Sequence, residues 1–346
     1  MVIFINMPMR VLSLSEPGSL IPGTRPDPVP LHGEAVLRII RGGVCGTDLH
    51  AYQGLQPFFQ YPRIPGHELC GVLTEPMDGS LAGDLFTIIP YIHCGTCGAC
   101  ASGRTNCCRR LSVMGVHCDG GWAEFLRVRS DLLLPGDGLS ADALAVVEPF
   151  AIGAHALVRA APLHSECVVV IGAGPIGHGI IRQLLAMGIE PIVLETSRVR
   201  RQLAEGIPGI KILDPQAAAF KALFDDLTSG EGADLIIEAS GSLGAIQSMA
   251  GLLSHGGRMV LVGLQQEAFH FSHPEFHKRE ATLMSSRNAT KADFLHVMEL
   301  MRSGKLNPEM LVSLHVPSAD VPGQFPLWAV PDSPVLKAMI HFDQPT

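Results

Sequence analysis

Five of the chain's nine cysteines crowd into the stretch HCGTCGACASGRTNCC, His93–Cys108. Cys94, Cys97 and Cys100 are spaced C-x2-C-x2-C, and Cys107 and Cys108 close the run. Four thiolates around one tetrahedral Zn²⁺ form a closed site with no position left for substrate. A dithiol redox pair would use the same C-x-x-C, but beside a βαβ unit, and this run lies far from any such pattern. A nucleic-acid-reading finger needs basic flanks and a recognition helix, whereas only Arg104, Arg109 and Arg110 stand near. The run therefore predicts a structural zinc. A second group of candidate ligands is dispersed. GGVCGTDLH carries Cys45, Thr47, Asp48 and His50, PGHELCG carries His67 and Glu68, and VEPFAIGAHAL carries Glu148. A catalytic zinc takes three protein ligands and keeps a fourth position open. Cys45 and His67 are suitable types, and a carboxylate would complete the set. Glu148 stands in a mostly apolar stretch, where a carboxylate is costly to bury unless it is paired or binds a metal.

A different chemistry is written in Gly172, Gly174 and Gly177, a G-x-G-x-x-G that includes Pro175 and Ile176. The first glycine permits a tight turn, the second lets backbone approach a pyrophosphate, and the third lets helix and strand pack closely. A helix beginning there offers unpaired N–H groups and a favourable dipole to the anion. Glu195 ends the next strand eighteen residues after Gly177. Its carboxylate can accept hydrogen bonds from the adenosine ribose hydroxyls and would repel a 2′-phosphate. That predicts NAD in preference to NADP, although Arg198, Arg200 and Arg201 follow closely and bring positive charge. Arg200, with Val262, Gly263 and Leu264 at the end of a later strand, completes the expected cofactor contacts.

Elements must hold these residues in place. The stretch ECVVVIGAG reads as a buried strand ending in a glycine turn, and PIGHGIIRQLLAMG as a helix closed by Gly188. Strands follow at EPIVLE, ADLIIEAS and GRMVLVGL, separated by helical QAAAFKALFDDL and SLGAIQSMAGLLS. Alternating strands and helices imply a parallel sheet. Before this region the chain is rich in Pro and Gly, with short β-like runs EAVLRII and AEFLRVRS, as in a loop-rich antiparallel domain. After Arg287 a helix, KADFLHVMELMRSG, leads into a short proline-rich tail. The expected division is a β-rich catalytic domain from residues 1–150 and 289–346, with an α/β dinucleotide domain at 151–288 between them.

The bulk numbers agree with an enzyme. The chain is 47% hydrophobic and 17% charged, and its net charge of −8 offers no basic face for nucleic acid. No signal peptide or transmembrane run is apparent, since the longest apolar stretch, CVVVIGAGPIGHGII, is interrupted by glycines and a proline. A cytoplasmic protein that keeps its thiols reduced is expected. His93, His117, His155, His178 and His270 read as loop, interface or core histidines, and Cys70, Cys118 and Cys167 as packing residues.

Taken together, GGVCGTDLH, PGHELCG, the cysteine loop, VEPFA and GAGPIG resemble the zinc-dependent medium-chain alcohol dehydrogenases, in that family's order and over essentially the whole chain. Within the family, CGTD.H with GHE and VEP is similar to the polyol and L-threonine dehydrogenase branch. The stretches QPFFQYPRIPGHELCG, ACASGRTNCC, SVMGVHCDGG, EPFAIGAHA and HPEFHKREATLMSSRNAT resemble the bacterial L-galactonate 5-dehydrogenase type. The resemblance implies a Rossmann domain and a GroES-like catalytic domain, with two zinc ions per chain. Its catalytic zinc ligands would be Cys45, His67 and Glu148, with Glu68 an alternate or outer ligand. Its structural zinc ligands would be Cys94, Cys97, Cys100 and Cys108, leaving Cys107 a bystander. Thr47 and His50 match the proton relay, and Arg287 and Asn288 fall where substrate contacts are expected. Arg287 would suit the carboxylate of a sugar acid, although a salt bridge or domain-interface role fits it as well. The implied reaction interconverts a secondary alcohol and a ketone on a small sugar acid or polyol. By the same resemblance the chain is a homodimer or homotetramer. A sorbitol- or L-threonine-type activity is the alternative within the family, and a zinc-stabilised binding protein without turnover is the alternative outside it.

Overall fold

The computed structural model describes residues 8–342, which form two compact units. The first runs to Glu148 and resumes at Thr290; the second is Pro149–Ala289. The chain begins with β1 (Met9–Glu16), β2 (Ser19–Arg25), β3 (Glu34–Gly43), α1 (Gly46–Tyr52), β4 (Glu68–Leu73), β5 (Leu85–Ile88) and β6 (Tyr91–Ile92). Then come α2 (Gly98–Ala101), β7 (Ser112–Val113), β8 (Phe125–Arg129), β9 (Leu133–Pro135) and α3 (Ala141–Ala145). Helix α4 (Val147–Ala160) leads into β10 (Val168–Ile171), α5 (Pro175–Ala186), β11 (Ile192–Leu194), α6 (Arg198–Glu205), β12 (Lys211–Leu213) and α7 (Phe220–Leu227). The α/β pattern continues through β13 (Ala233–Glu238), α8 (Leu243–Met249), β14 (Leu253–Leu261), α9 (His273–Lys278) and β15 (Thr282–Ser285). The chain closes with α10 (Lys291–Arg302), β16 (Leu314–Pro317), α11 (Val321–Trp328) and β17 (Ala338–His341).

In the first unit, β3 is the organising strand. It pairs antiparallel with β4, β8 and β17, in a sheet of order β16-β17-β3-β4-β5-β9. Leu37, Ile39, Leu69, Leu73 and Ile88 are buried in this sheet. The tail expected to be merely proline-rich supplies two of its strands, β16 and β17, which pair parallel to each other. Short runs of four residues, LHVP and AMIH, carry too little periodicity to distinguish strand from loop.

In the second unit all six strands are parallel, ordered β12-β11-β10-β13-β14-β15. Counted from β10 this is 3-2-1-4-5-6, the doubly wound order in which a ligand crevice opens where the order reverses. Alternation along β10 divides the core. Val168 and Val170 pack with Ile180, Ile181 and Leu184 of α5, while Val169 and Ile171 pack with Phe224 of α7 and Ile246 of α8. Strands β12 and β15 escape the sequence reading because they are edge strands of three and four residues. Helix α7 also starts at Phe220, later than the alanine run suggests. No helix among the described residues is long and apolar enough to cross a membrane.

Candidate active site

At the end of β3 the chain turns into α1, and Cys45 is its N-cap residue. Asp48, three residues on, folds back so that its Oδ2 accepts the Cys45 N–H at 2.9 Å. His67 precedes β4 and Glu68 is its first residue. Gly43 lies opposite Glu68 in the β3–β4 register, and a Cβ there would fall 2.0 Å from Glu68 Oε2. Only glycine leaves room for that carboxylate. One ligand atom each from Cys45, His67 and Glu68 lies within 4.8 Å of the others. Glu148, in the first turn of α4, stands outside that group of three but close enough to act electrostatically on His67. The Tyr91 hydroxyl donates to Glu148 Oε1.

The surroundings are dry and crowded with charge. Asp48, His67, Glu68 and Glu148 are all buried. Burial opposes charge on His67, yet Asp48, Cys45 and Glu148 together raise its pKa well above the ordinary value. Burial pushes the Glu148 carboxyl up to about 7, with Glu68 adding to it and His67 opposing it. Burial likewise raises Asp48, against the pull of His67. One counter-charge is built in. Lys337, 1% exposed at its side chain, donates to Glu68 Oε1 at 2.5 Å and Oε2 at 2.7 Å, and to the Val44 carbonyl at 2.9 Å. Two buried polar atoms still lack a hydrogen bond, His67 Nδ1 and Asp48 Oδ1, which lie 3.8 Å apart. A thiol, an imidazole and carboxylates converging in a buried, anion-rich pocket suit a divalent zinc, whose charge would balance the excess. Thr47 and His50 sit one turn apart on α1; His50 is exposed, and partial burial of its ring lowers its pKa below the ordinary value.

The cysteine loop meets the metric test of a tetrathiolate site. Cys94, Cys97, Cys100 and Cys108 form one group, with Sγ separations of 3.5 Å for Cys97–Cys100, 3.9 Å for Cys97–Cys108 and 4.0 Å for Cys94–Cys100. Four sulfurs about 2.3 Å from a tetrahedral zinc lie about 3.8 Å apart, whereas a disulfide would bring two of them to about 2.05 Å. Backbone donors from Thr96 and the Arg110 guanidinium lower the Cys94 thiol to about 4, favouring thiolate. Cys107 is exposed and lies outside the group.

In the second unit the glycine turn follows β10. Gly172 has φ +97°, Gly174 caps α5, and Pro175 is the first helical residue. A Cβ on Gly177 would lie 1.9 Å from the Gly172 carbonyl oxygen, so the helix can approach the turn only with glycine there. Ile176 is half-buried beside it. Glu195 Oε2 accepts the Ala173 N–H at 2.7 Å and Oε1 accepts the Ser197 N–H at 2.8 Å, so this carboxylate also braces the turn and the start of α6. Arg200 points its guanidinium toward the turn, with Nη1 3.9 Å from where a Cβ on Gly174 would be. Arg201 instead pairs with Asp214 at 3.0 Å and bonds the Glu195 and Thr196 carbonyls. Val262 and Gly263 donate to the Glu238 carbonyl at the end of β13, and Leu264 beyond them is exposed. These residues gather at the carboxyl ends of neighbouring strands. Arg287, exposed, and Asn288, with φ +53°, follow β15.

Three side chains in these settings were not singled out from sequence, Tyr91, Lys337 and Glu238, while Asp48, named there beside Cys45, serves instead as the acceptor for the Cys45 N–H. Glu238 Oε1 accepts the Ser240 and Gly241 N–H groups at 2.7 and 2.9 Å, and its Oε2 is buried without a hydrogen bond. A charge within an apolar run, as in VLKAMI and DLIIEAS, is the sequence feature that could have flagged two of them.

Known proteins resemble the chain over nearly its whole length. Residues 32–138 match the alcohol dehydrogenase GroES-like domain, and residues 175–303 match the zinc-binding dehydrogenase domain. The L-galactonate-5-dehydrogenase of Escherichia coli K12 is 41% identical over 338 residues, spanning 96% of this chain and 99% of that protein. A 2-dehydro-3-deoxy-L-galactonate 5-dehydrogenase from Pseudoalteromonas atlantica is 32% identical, spanning 86% and 88%. Among solved structures, the RspB alcohol dehydrogenase of E. coli CFT073, complexed with NADH, superposes with a TM-score of 0.90 at 27% identity, covering 96% of this chain and 99% of that one. The chain belongs to the zinc-binding alcohol dehydrogenase family.

Proposed function

We propose that the chain is an NAD-dependent zinc dehydrogenase that interconverts a secondary alcohol and a ketone on a sugar acid of the L-galactonate type or a related polyol. The observation that carries this reading is the 41% identity, end to end, with an L-galactonate-5-dehydrogenase. Zinc and NAD(H) are the cofactors. Bound zinc supplies the Lewis acidity that lowers the pKa of a substrate hydroxyl, and bound NAD⁺ accepts hydride.

This chain's own residues supply position and proton traffic. Cys45, His67 and Glu148 hold the metal, with Glu68 an alternate ligand restrained by Lys337. Cys94, Cys97, Cys100 and Cys108 hold the structural ion and take no part in chemistry. The hydroxyl of Thr47 receives the substrate proton and passes it toward His50, which is exposed and, with its lowered pKa, neutral and able to accept at neutral pH. Gly172, Gly174 and Gly177 let the backbone and the N-terminus of α5 approach the pyrophosphate. The lone pairs left on Glu195 receive ribose hydroxyls and disfavour a 2′-phosphate, while Arg200 lies beside the turn as an anion partner. Pro175, Ile176, Val262, Gly263 and Leu264 line the remainder. Arg287 and Asn288 engage the substrate, the guanidinium pairing with a carboxylate in two hydrogen bonds. A cytoplasmic homodimer or homotetramer is the expected form.

A substrate panel tests the reading: L-galactonate, L-gulonate, sorbitol and L-threonine, each with NAD⁺, followed by NADH absorbance. The sugar acids are expected to give the highest kcat/KM. Preference for L-threonine or sorbitol would overturn the substrate class. In Arg287→Ala, KM should rise for acids and not for neutral polyols; an equal rise for both refutes the carboxylate role.

A further inference from the structure

A third set of metal-binding side chains lies in the first unit, built from parts of the chain remote in sequence. Asp142 stands in the first turn of α3, His315 on β16 and His341 on β17. One ligand atom from each falls within 4.8 Å of the other two. The register explains the meeting. His315 pairs with Met339 and Pro317 with His341 across the parallel strands, so the two histidines are one diagonal step apart on one face of the sheet. His315 Nδ1 lies 2.9 Å from His341 Nε2 and 3.8 Å from Asp142 Oδ2. The third ligand is oriented by a neighbouring cation. Arg41, opposite His341 on β3, donates from Nε to Asp142 Oδ1 at 2.6 Å and leaves Oδ2 turned toward the imidazoles.

We propose that Asp142, His315 and His341 form a surface site for a divalent transition-metal ion such as zinc, separate from the two zinc sites described above. Two imidazole nitrogens and one carboxylate oxygen are the donor set preferred by borderline cations, and two or three waters would complete the coordination. Metal–nitrogen bonds of about 2.0–2.1 Å place two ligating nitrogens about 3.3 Å apart. The histidine pair therefore needs to open by only a few tenths of an ångström. His315 is 49% and Asp142 30% exposed at the side chain, which gives an ion a direct path from solvent. The Arg41–Asp142 pair plays the part of an outer hydrogen bond that fixes a ligand's direction, a feature typical of metal sites. An ion here would fasten the last two strands to α3, and zinc would then stabilise the first unit in proportion to its concentration.

The test uses the enzyme already carrying its own zinc. It is dialysed against micromolar zinc and its metal content is measured per chain. An additional equivalent is expected, together with a rise in the unfolding midpoint. In His315→Gln and in His341→Gln, affinity for that equivalent should fall by about a hundredfold or more, while the original zinc content is kept. A control removes the other close histidine pair, His273 and His277 of α9, whose rings lie 5.9 Å apart. His273→Gln/His277→Gln should retain the additional ion. No additional equivalent would overturn the proposal and leave His315 and His341 as a hydrogen-bonded pair. An additional equivalent that survives both His315→Gln and His341→Gln, or disappears only with His273 and His277, would overturn it as well.

Discussion

Substitution of Lys337 by Met isolates the electrostatic design beneath the catalytic site. The ammonium gives its three protons to Glu68 Oε1, Glu68 Oε2 and the Val44 carbonyl, and the two side chains are 1% and 0% exposed. Methionine preserves most of the apolar stem and removes the charge. With the catalytic zinc removed, the stranded carboxylate has two courses. It can stay ionised and unpaired, at the about 3–5 kcal/mol typical of a broken buried pair. Or it can take up a proton, which for a carboxyl of solution pKa about 4.3 costs about 3.7 kcal/mol at pH 7. Loss of the hydrogen bond to Val44 adds about 1 kcal/mol. The expected destabilisation is therefore about 4–5 kcal/mol. Trp122 and Trp328 are the chain's two tryptophans and both belong to the first unit, so urea unfolding followed by tryptophan fluorescence reports that unit directly. The pH dependence provides a second check. If the folded variant binds a proton that the unfolded chain does not, stability falls as pH rises, by about 1.4 kcal/mol per unit. The deficit against the parent protein should thus shrink between pH 7 and pH 5.5. A Glu68→Leu/Lys337→Met double variant, which removes both charges, should recover most of the loss. A deficit below about 1 kcal/mol, or one that stays constant with pH and persists in the double variant, would refute the account and leave only lost packing.

The remaining predictions address cofactor, proton, ligand and metal. Gly177→Ala puts a methyl group 1.9 Å from the Gly172 oxygen and must displace the turn; NADH affinity, read by fluorescence titration, should fall at least about tenfold, a loss of about 1.4 kcal/mol, with zinc content unchanged. Burial lowers the pKa of His50, so alcohol oxidation should hold its rate from pH 8 through pH 7 and decline only once that imidazole protonates, below its ordinary pKa of 6.5. In His50→Asn, kcat at neutral pH should be lower by about a hundredfold, and that limb of the profile should vanish; an unchanged profile would exclude His50 from the relay. Cys108→Ser should cost one zinc per chain, whereas Cys107→Ser should cost none; metal analysis giving the reverse would exchange the two ligands. Cys45→Ala should abolish turnover while NADH binding survives, and retained activity without the corresponding zinc would remove the metal's catalytic role.

Why some of this was legible in sequence and some was not follows from how each constraint acts along the chain. The glycine turn is local: three glycines, a strand before and a helix after occupy a short window, and each glycine answers a steric demand from its neighbours. The cysteine loop is local too, with its four ligand thiols between Cys94 and Cys108 at metal-ligand spacing. Strands β10, β11 and β13, and the MVL end of β14, announce themselves because a strand covered on both faces is apolar at nearly every position. At the edges that demand relaxes. Lys211 is exposed in β12 and Thr282 in β15, so neither short run carries the mark of a buried strand.

The catalytic surroundings are harder because their constraints join residues far apart in the chain. Cys45 and His67 can be matched to a metal by type, but nothing near Glu68 specifies Lys337, which reaches it from 269 residues away. The geometry that unites them is the adjacency of β17, β3 and β4, together with the missing side chain at Gly43. Tyr91 and Glu148 meet in the same way, across 57 residues. A ligand's chemical type is thus visible locally, while the groups that set its charge and direction appear only once the sheet is assembled. Asp142, His315 and His341 follow the same rule: two of the three stand on the tail strands whose short runs gave no periodic pattern, and their convergence is a property of strand order. In this fold β3 carries Arg41 beside one cluster and leads into Cys45 at the other, so a change in the register of β17 against β3 would disturb both sets of side chains at once.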